Sequence, residues 1–499
     1  MPLPIVPESF ALVLAACAPC FTAPTYRVCC QLVAGWLHCP GRHTVTGVAV
    51  AAGWGVVGWR HVSTFHRFFS RAKWEPDTLG RVVFALALRV LPAGQPLVLL
   101  VDDSLARKGG KAIALGSMHH DPLLSTRRRP FSAFGHVWVV VALWLPLPFG
   151  VVGGPRGVAL PVLFRLFVAS KRGNRADAPS RATSGARYLR ARAAFPVDAA
   201  QRPTKPALAR EAIALVAGWA ATLAPGRTVY AVGDSAYVNR ATIEDRPANV
   251  EVLGPLHPDA ALFAPPPPRR PGHKGRPRTK GEQRPSPTAQ ARARRPDTWH
   301  RRPVTLYGRT VTPLVFRGTA LWYSVLRAAP LRYVVVRDPS GRRKDAAFCC
   351  TDRTVSVAFL LETYAKRWTL EVTFWLLKGW LGFEEPQNQA ERAVRRTAPF
   401  AGVVFALTIL WYATELQAGR AATWVARPWY RRKAAPSFPD VLATLRQQGI
   451  SAATAAAARS CPQDFPVPSC PHQPRRKSRY PRHLTRAAPV YKAEIEARR

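Results

Sequence analysis

The chain has 499 residues, with 72 Lys and Arg against 29 Asp and Glu, a formal charge of +43. Single cores stop growing near about 250 residues, so the length excludes one small domain and predicts two or three structural units. Hydrophobic residues make up 48% of the chain and 15 residues are Trp, which excludes a purely basic disordered protein. The positive charge runs along most of the sequence and predicts a polyanionic partner, for which nucleic acid is the natural candidate.

Cysteine usage and hydropathy indicate a cytosolic protein. The nine cysteines are odd in number and include two adjacent pairs, which favours reduced thiols over a disulfide framework. The apolar segment Pro399–Leu416 is long enough to be considered as a membrane span, but Arg392, Arg395 and Arg396 crowd one end of it. We therefore predict a central core helix there, and no membrane partner.

The first 90 residues or so are predicted to be helical. Two candidate helices, Thr44–Ala52 and Ser63–Ala72, are separated by the Gly-rich segment 53–58. This spacing is compatible with a helix-turn-helix that binds DNA, in which the basic side of the second helix faces the nucleic acid. An ordinary amphipathic helix with a solvated basic face explains the same pattern, and the sequence leaves both interpretations open.

The pattern then changes to apolar runs that are typical of buried strands. The run Pro96–Val101 ends abruptly at Asp102, Asp103 and Ser104. Further segments predict two strands, a helix and another strand: His136–Leu145, Val158–Val168, Leu208–Leu223 and Thr228–Gly233, which is followed by Asp234. Strands followed by a helix and another strand indicate an α/β sheet.

The second half of the chain begins with a strongly basic segment. Residues Ala264–Arg302 are rich in Pro, Arg, Lys and Gly, which predicts a mobile linker or DNA-tracking loop without a core. Val304–Val336 returns to strand-like segments, and a long helix is predicted from about Val355 to Trp380. From about Cys461 the sequence is Pro- and Arg-rich and is predicted to be loosely ordered.

Two carboxylates are placed where metal-dependent chemistry would need them. Phosphoryl transfer on DNA uses two divalent ions about 4 Å apart, held by carboxylate oxygens. Asp102 and Asp234 each follow an apolar strand, so both would lie where adjacent strands end. Taken singly, an Asp at the end of a strand is most often a turn former or a helix cap.

The predicted helix near residue 370 carries a more specific pattern. Four polar residues fall within about 60° of one another around it: Tyr364, Arg367, Glu371 and Lys378. Glu371 would face the metal ions, while Arg367 and Lys378 would bind phosphates on either side. Tyr364 would hydrogen-bond a phosphate or stack on a base. A solvated amphipathic face would explain the charges, but not their placement among aromatic residues.

The spacing Tyr-x2-Arg-x3-Glu-x6-Lys resembles the signature of a large group of bacterial insertion-sequence DDE transposases. These enzymes belong to the RNase H-like, retroviral integrase superfamily. Three other segments are similar to sequences of the same family: His61–Trp74, Asp102–Gly109 and Val232–Tyr237. The resemblance covers about residues 1 to 420.

The resemblance implies an α/β fold with an RNase H-like catalytic core, in which helices flank a mixed sheet. It also implies a helical amino-terminal DNA-binding region and an insertion before the last catalytic helix. The predicted units are a DNA-binding region (1–90), the first part of the core (91–254), the insertion with its basic loop (255–345), the end of the core (346–420) and a basic, partly disordered region (421–499).

The same resemblance implies catalytic, metal-binding roles for Asp102, Asp234 and Glu371, with Mg²⁺ as the ion and Mn²⁺ as a substitute. Family members typically have Ser or Thr two residues after the first Asp, which points to Asp102 with Ser104, and Asp103 stays the alternative. Tyr364, Arg367 and Lys378 would bind DNA.

The implied reaction is cleavage at the transposon ends, followed by joining of the freed 3′ hydroxyl to target DNA. A hairpin step at the cut end is left open. The partners would be double-stranded DNA, namely terminal inverted repeats and target DNA, and a second copy of the chain, because two ends must be paired. The setting would be the bacterial cytoplasm at the nucleoid.

Three alternatives accompany this prediction. A catalytically inactive, transposase-derived DNA-binding protein would need only the basic charge and the amino-terminal helices. Another nuclease or resolvase on an RNase H-like core would hydrolyse DNA without joining it. A basic RNA-associated protein ranks last, because no aromatic strand motif of the usual RNA-binding modules is present.

Overall fold

The structure is a computed structural model of the chain. It describes residues 6–53, 61–110, 112–121, 124–126, 128–148, 157–169, 203–268, 276–420, 422, 424, 433 and 435–460, with side chains as far as residue 451. The predictions for most of the Gly-rich segment 53–58 and for the tail after Cys461 fall outside these residues.

The amino-terminal part is helical, as predicted. Its helices are α1 (Glu8–Ala15), α2 (Ala23–His38), α3 (Val45–Ala51), α4 (Ser63–Ser70) and α5 (Pro76–Val90), with a 3-10 turn at Ala18–Cys20. Helix α3 begins where the Thr44 side chain accepts a hydrogen bond from the Gly47 amide at 3.1 Å, an N-cap that satisfies one free donor. Helix α4 buries Phe65, Phe68 and Phe69 and leaves Arg67 exposed, so it has the predicted aromatic anchor and basic face.

Fourteen strands lie in the described part of the chain. They are β1 (Leu97–Arg107), β2 (Ser117–His120), β3 (Ser132–Leu145), β4 (Val158–Phe167), β5 (Val229–Val232), β6 (Val250–Pro255), β7 (Leu262–Phe263), β8 (Gln283–Arg284), β9 (His300–Arg301), β10 (Val304–Leu306), β11 (Arg309–Val311), β12 (Leu314–Leu321), β13 (Pro330–Arg337) and β14 (Ala346–Cys350). Twelve of these described strands form one sheet, in the order β2-β3-β1-β5-β6-β14-β13-β12-β7-β8, with β4 paired to β3 and β9 to β12.

The sheet is mixed. Strand β3 is antiparallel to both β4 and β1, whereas β1, β5 and β6 run parallel to one another. The remaining helices are α6 (Lys205–Leu223), α7 (Arg240–Ile243), α8 (Pro287–Ala293), α9 (Tyr323–Leu326), α10 (Val357–Ala365), α11 (Trp368–Trp380), α12 (Glu391–Gln417) and α13 (Phe438–Ser460). Helices flank this mixed sheet, which confirms the predicted fold class of an RNase H-like core.

Strand β1 is longer than predicted. The sequence places its end at Asp102, but the strand continues to Arg107. Its parallel pairing with β5 stops at Leu100, whereas its antiparallel pairing with β3 continues from Asp102 opposite Val140 to Arg107 opposite Gly135. The apolar run stops where one neighbouring strand is lost, while the other neighbour keeps the backbone extended.

Helix α12 is the centre of the core, as predicted for Pro399–Leu416. It is long and apolar enough to cross a membrane, yet nearly all of that apolar segment is buried within the protein. It packs against α1, α4, α5 and β4. The buried Arg396 guanidinium on this helix donates to the carbonyl of Ala72 at 2.7 Å and to Glu75 Oε1 at 3.1 Å. The amino-terminal helices are thereby attached directly to the sheet layer.

The prediction of a structureless basic segment was wrong for its second half. Residues 283–301 form β8, α8, a 3-10 turn and β9. Ala291 and Trp299 from this segment are buried. The Arg294 guanidinium lies over the Phe316 ring, 4.3 Å from its centroid, so a basic side chain also packs on an aromatic ring here. A few apolar anchors were enough to fold a segment whose composition is typical of a linker.

Candidate active site

The parallel strands β1 and β5 bring Asp102 and Asp234 together. The last parallel pair is Leu100 opposite Val232, and each aspartate lies two residues beyond its member of that pair. Because side chains alternate along a strand, Asp102 points to the same face as Leu100. The two carboxylates are close enough for Asp234 to raise the pKa of Asp102. The predicted meeting of these residues is therefore present in the structure.

Glu371 reaches the same place from helix α11. This helix is fixed to the sheet by the Thr373 hydroxyl, which donates to the Ala159 carbonyl of β4 at 2.8 Å. Glu371 lies in the first turn, where the helix dipole favours a negative charge. One guanidinium links it to the first carboxylate: Arg367 donates from Nη1 to Asp102 Oδ2 and from Nη2 to Glu371 Oε1, both at 2.6 Å.

The predicted single helix from Val355 to Trp380 was wrong at this point. It is divided into α10 and α11 by a tighter turn at Lys366 and Arg367. In this turn the Lys366 and Arg367 amides bond to carbonyls three residues earlier, at 3.2 and 3.0 Å. Tyr364 therefore belongs to α10 and the other three polar residues to the turn and to α11.

The electrostatics of the site reflect burial and crowding of like charges. The pKa of Asp102 is raised to about 7: burial raises it most, the Arg367 guanidinium lowers it, and the nearby Asp234 carboxylate raises it. Burial alone would lower the pKa of Arg367, but the carboxylates of Asp102 and Glu371 outweigh it, so that this pKa is raised. Arg367 is only 13% exposed and supplies the counter-charge that the two carboxylates share.

Asp103 has a different set of partners. Its Oδ1 accepts a hydrogen bond from the Tyr237 hydroxyl at 2.6 Å, and its Oδ2 accepts one from Lys205 Nζ at 2.7 Å. Tyr237 follows Asp234 by three residues and is 2% exposed. Its hydroxyl therefore ties β1 to the turn that carries Asp234. Both oxygens of Asp103 are thus occupied by neighbours of its own.

The oxygen atoms of Asp102, Asp234 and Glu371 are chemically suited to bind a divalent cation. Carboxylate oxygens are the ligands that Mg²⁺ and Mn²⁺ prefer. Asp102 and Glu371 already share one cationic group, and Asp234 adds negative charge beside it. Within the described residues, no three His, Cys, Asp or Glu side chains are close enough to ligate one ion together. The guanidinium of Arg367 balances part of this negative charge.

The remaining predicted DNA-binding residues have protein partners. Lys378 Nζ donates to the Leu105 carbonyl at 2.7 Å and forms an ion pair with Glu384 at 3.2 Å. The Tyr364 ring packs on Phe348, with 4.8 Å between the ring centroids. Lys378 thus contacts strand β1, and Tyr364 contacts strand β14. The contact of both residues with DNA stays a prediction.

Two residues of this cluster were missed by the sequence analysis. Tyr237 was part of the quoted segment Val232–Tyr237 but received no role, and Lys205 was not considered. A tyrosine three residues after a candidate catalytic Asp is a signal that could have been noticed, because that spacing returns a side chain across a turn. The position of Lys205 at the start of α6 has no comparable signal.

Comparison with known protein families agrees with this geometry. The sequence model of a family described as "DDE superfamily endonuclease" matches residues 17–313, more than half of the chain. The chain belongs to this family. Asp102 and Asp234 lie inside the matched region of the DDE endonuclease. The four polar residues of the later helical segment lie beyond it: Tyr364, Arg367, Glu371 and Lys378.

Other comparisons of this DDE endonuclease add little. A search of curated proteins found no match. Among solved structures, the chain is similar to a piggyBac transposase in a synaptic complex with hairpin DNA, determined by cryo-EM. That similarity has a TM-score of 0.35 and 9% sequence identity, and it covers 92% of this chain and 79% of the other. The family assignment rests on the sequence match alone.

Proposed function

We propose that this DDE endonuclease is a DNA transposase that cleaves transposon ends and joins them to target DNA. The single observation that carries the proposal is the convergence of Asp102, Asp234 and Glu371 from two parallel strands and a helix. Arg367 links the first and third of these carboxylates. The family match and the charge of +43 support an enzyme that acts on nucleic acid.

In this proposal Asp102, Asp234 and Glu371 hold two divalent ions, with Mg²⁺ as the ion used and Mn²⁺ as a substitute. When bound, such ions activate the attacking oxygen and stabilise the leaving oxygen of phosphoryl transfer. Asp102 is favoured over Asp103 as the first ligand, because Asp102 lies beside Asp234 and shares Arg367 with Glu371, whereas Asp103 binds Tyr237 and Lys205 instead. The role of Asp103 is to fix the strand that presents its neighbour.

The protein's own groups position the reacting DNA. Arg367 orients Asp102 and Glu371 toward each other and offsets their repulsion. Lys378 places a second positive charge about three turns beyond Arg367, where it would bind a phosphate beside the cut. Tyr364 lies within 5.9 Å of the Arg367 guanidinium, measured to the ring centroid, and would contact the same strand.

The partners follow from the reaction. Double-stranded DNA would be bound as terminal inverted repeats and as target. Two copies of the chain would pair two ends in one complex, and the protein would act in the bacterial cytoplasm at the nucleoid. The amino-terminal helices would recognise the DNA ends, with the exposed basic side of α4 as the contact surface.

The proposal is tested by an assay on linear DNA that carries the element's own ends, with Mg²⁺ and then with Mn²⁺. Asp102→Asn, Asp234→Asn and Glu371→Gln are expected to abolish cleavage and strand transfer while retaining DNA binding. Asp103→Asn is the matched control, since it makes the same change one residue away. A wild-type protein that binds ends and never cuts them would favour the catalytically inactive DNA-binding protein instead. Cutting without joining would favour a hydrolytic nuclease.

A further inference from the structure

Helix α11 exposes a tryptophan beside the carboxylates. Trp375 is 51% exposed, although it stands on a helix whose neighbouring residues Phe374 and Leu376 are buried. It follows Glu371 by four residues, so the two side chains lie on the same side of the helix, about 40° apart. Among the described residues no hydrogen-bond or aromatic partner of Trp375 is found. At this position the exposed ring can stack on a flat ligand that is held at the carboxylates.

A glycine extends this surface by one more turn. Gly379 follows Trp375 by four residues and is also exposed, and a Cβ at this position would meet no protein atom within 4 Å. Glycine disfavours a helix, so its presence there needs a reason. Termination of the helix is not that reason, because the residue with a left-handed backbone at this end is Gly382, with φ of +57°. A glycine that is required neither by close packing nor by a turn leaves space for a ligand to approach the helix.

The neighbouring charges define the chemistry of that ligand. Arg367 precedes Trp375 by two turns and Lys378 follows it by three residues, so an aromatic face lies between two cationic groups. Aromatic side chains that alternate with phosphate-binding cations are the general means of holding an unpaired nucleic-acid strand. Within a duplex the base faces are covered by stacking, so only a base at an end or an unpaired position can use the ring.

The distance along the helix fixes where such a base would lie. Four residues of α-helix advance about 6 Å, whereas successive phosphates of one DNA strand are about 3.4 Å apart along a duplex axis. A phosphate held beside Glu371 would therefore place a base one or two nucleotides away over Trp375. We infer that Trp375, with the open space at Gly379, stacks an unpaired base next to the scissile phosphate. This inference rests on the proposed function for the position of that phosphate.

The test compares two 30-base-pair DNA duplexes of one sequence. One is fully paired, and the other carries 2-aminopurine in an unpaired fork at one end. Binding is measured with Ca²⁺ in place of Mg²⁺, and gel analysis of the recovered DNA verifies that it stays intact. Wild type is expected to prefer the forked duplex by about 5- to 100-fold, the range for one stacked base. The 2-aminopurine fluorescence is expected to be quenched in the complex.

Three variants locate the effect. Trp375→Ala is expected to lose the preference and the quenching, while its affinity for the paired duplex stays close to wild type. Trp375→Phe retains part of both. The control Trp380→Ala changes a tryptophan that is 38% exposed on the same helix but points about 140° away from Trp375, so it is expected to keep both.

A matched pair of glycine variants tests the open space. Gly218, within α6, is also exposed and also has no protein atom within 4 Å of an added Cβ. Gly379→Ala and Gly218→Ala are both expected to leave the fold intact, since alanine favours a helix. Only Gly379→Ala is expected to weaken binding to the forked duplex. Equal behaviour of the two variants would contradict a role for Gly379.

The outcomes separate this inference from the proposed function. If wild type cleaves DNA with Mg²⁺ but shows no preference for the fork, or if Trp375→Ala keeps the preference, the inference is overturned and the proposed function stands. If wild type prefers the fork through Trp375 but never cleaves, the stacking surface stands and the transposase proposal fails. A wild type that binds neither duplex contradicts both.

Discussion

Asp102 and Asp103 are neighbours in one strand and point to opposite faces of it, and both bind a cationic side chain. Among the described residues, Asp103 shares its cation, Lys205, with no second carboxylate, and its other oxygen accepts from the neutral hydroxyl of Tyr237. Asp102 shares Arg367 with Glu371 and lies beside Asp234. Its pKa is raised to about 7 chiefly by burial, although Arg367 lowers it. The Asp103 carboxylate, with a cation and a hydroxyl of its own, stabilises the fold. The Asp102 and Glu371 carboxylates share one counter-charge, so they are suited to bind a further cation.

The largest expected effect is on catalysis. Asp102→Asn is expected to reduce the rate of DNA cleavage by about 10⁴-fold, as removal of one member of a catalytic unit does. Asp103→Asn is expected to cost only about 10- to 100-fold, the usual effect of a residue that orients a metal ligand. Cleavage rates of both variants, measured under one set of conditions, check this. Equal losses would remove the distinction between the two faces of β1.

The two cations should also differ in their effect on stability. Arg367→Met leaves two mostly buried carboxylates unpaired and is expected to lower the free energy of unfolding by about 3 to 5 kcal/mol. Lys205→Met breaks an ion pair in which Lys205 is 37% exposed, and is expected to cost at most about 1 kcal/mol. Denaturant unfolding measures both.

Addition of Mg²⁺ should affect the stability of the Arg367→Met and Lys205→Met variants differently. It is expected to restore part of the stability lost by Arg367→Met, because a divalent ion would replace the missing counter-charge, and to leave Lys205→Met unchanged. An Arg367→Met protein that is as stable as Lys205→Met, and equally insensitive to Mg²⁺, would show that Arg367 does not neutralise the site.

A smaller effect is expected from the hydroxyl that holds Asp103. Tyr237→Phe keeps the buried ring but removes one hydrogen bond to a carboxylate, for an expected loss of about 1 to 3 kcal/mol. Tyr230→Phe is a matched control, because the Tyr230 hydroxyl donates to Asp352 at the same distance of 2.6 Å. Thermal unfolding should give similar losses for the two variants, and only Tyr237→Phe should also slow DNA cleavage. A slower cleavage by both would indicate a general loss of stability instead.

The sequence predicted the strands and helices around the site well, for a physical reason. Strand β5 and the second half of β3 consist of unbroken apolar runs, and α6 shows the apolar period of a helix, so hydropathy alone reveals them. The two aspartates could be placed at the sheet edge on the same grounds. Features that depend on a partner far along the chain could not be predicted from the local sequence. The continuation of β1 to Arg107 depends on β3, whose polar-looking start pairs with it.

The contacts within the site were predictable only in part. The spacing of Arg367 and Glu371 suggests an ion pair one helical turn apart, and the structure has it. That the same guanidinium also binds Asp102, 265 residues away, could not be read from spacing. The break of the helix at Lys366 was likewise hidden, since the residues there are ordinary helix formers. Trp299 shows how one buried aromatic residue can order a segment of linker-like composition.

We propose that Asp102, with Asp234 and Glu371, forms the divalent metal site, and that Asp103 does not. Calorimetric titration of Mn²⁺ into wild type, Asp102→Asn and Asp103→Asn tests this directly and needs no DNA. Binding that is lost in Asp102→Asn and weakened by no more than about 100-fold in Asp103→Asn is the predicted result. Binding that is lost in Asp103→Asn and unchanged in Asp102→Asn would contradict the assignment.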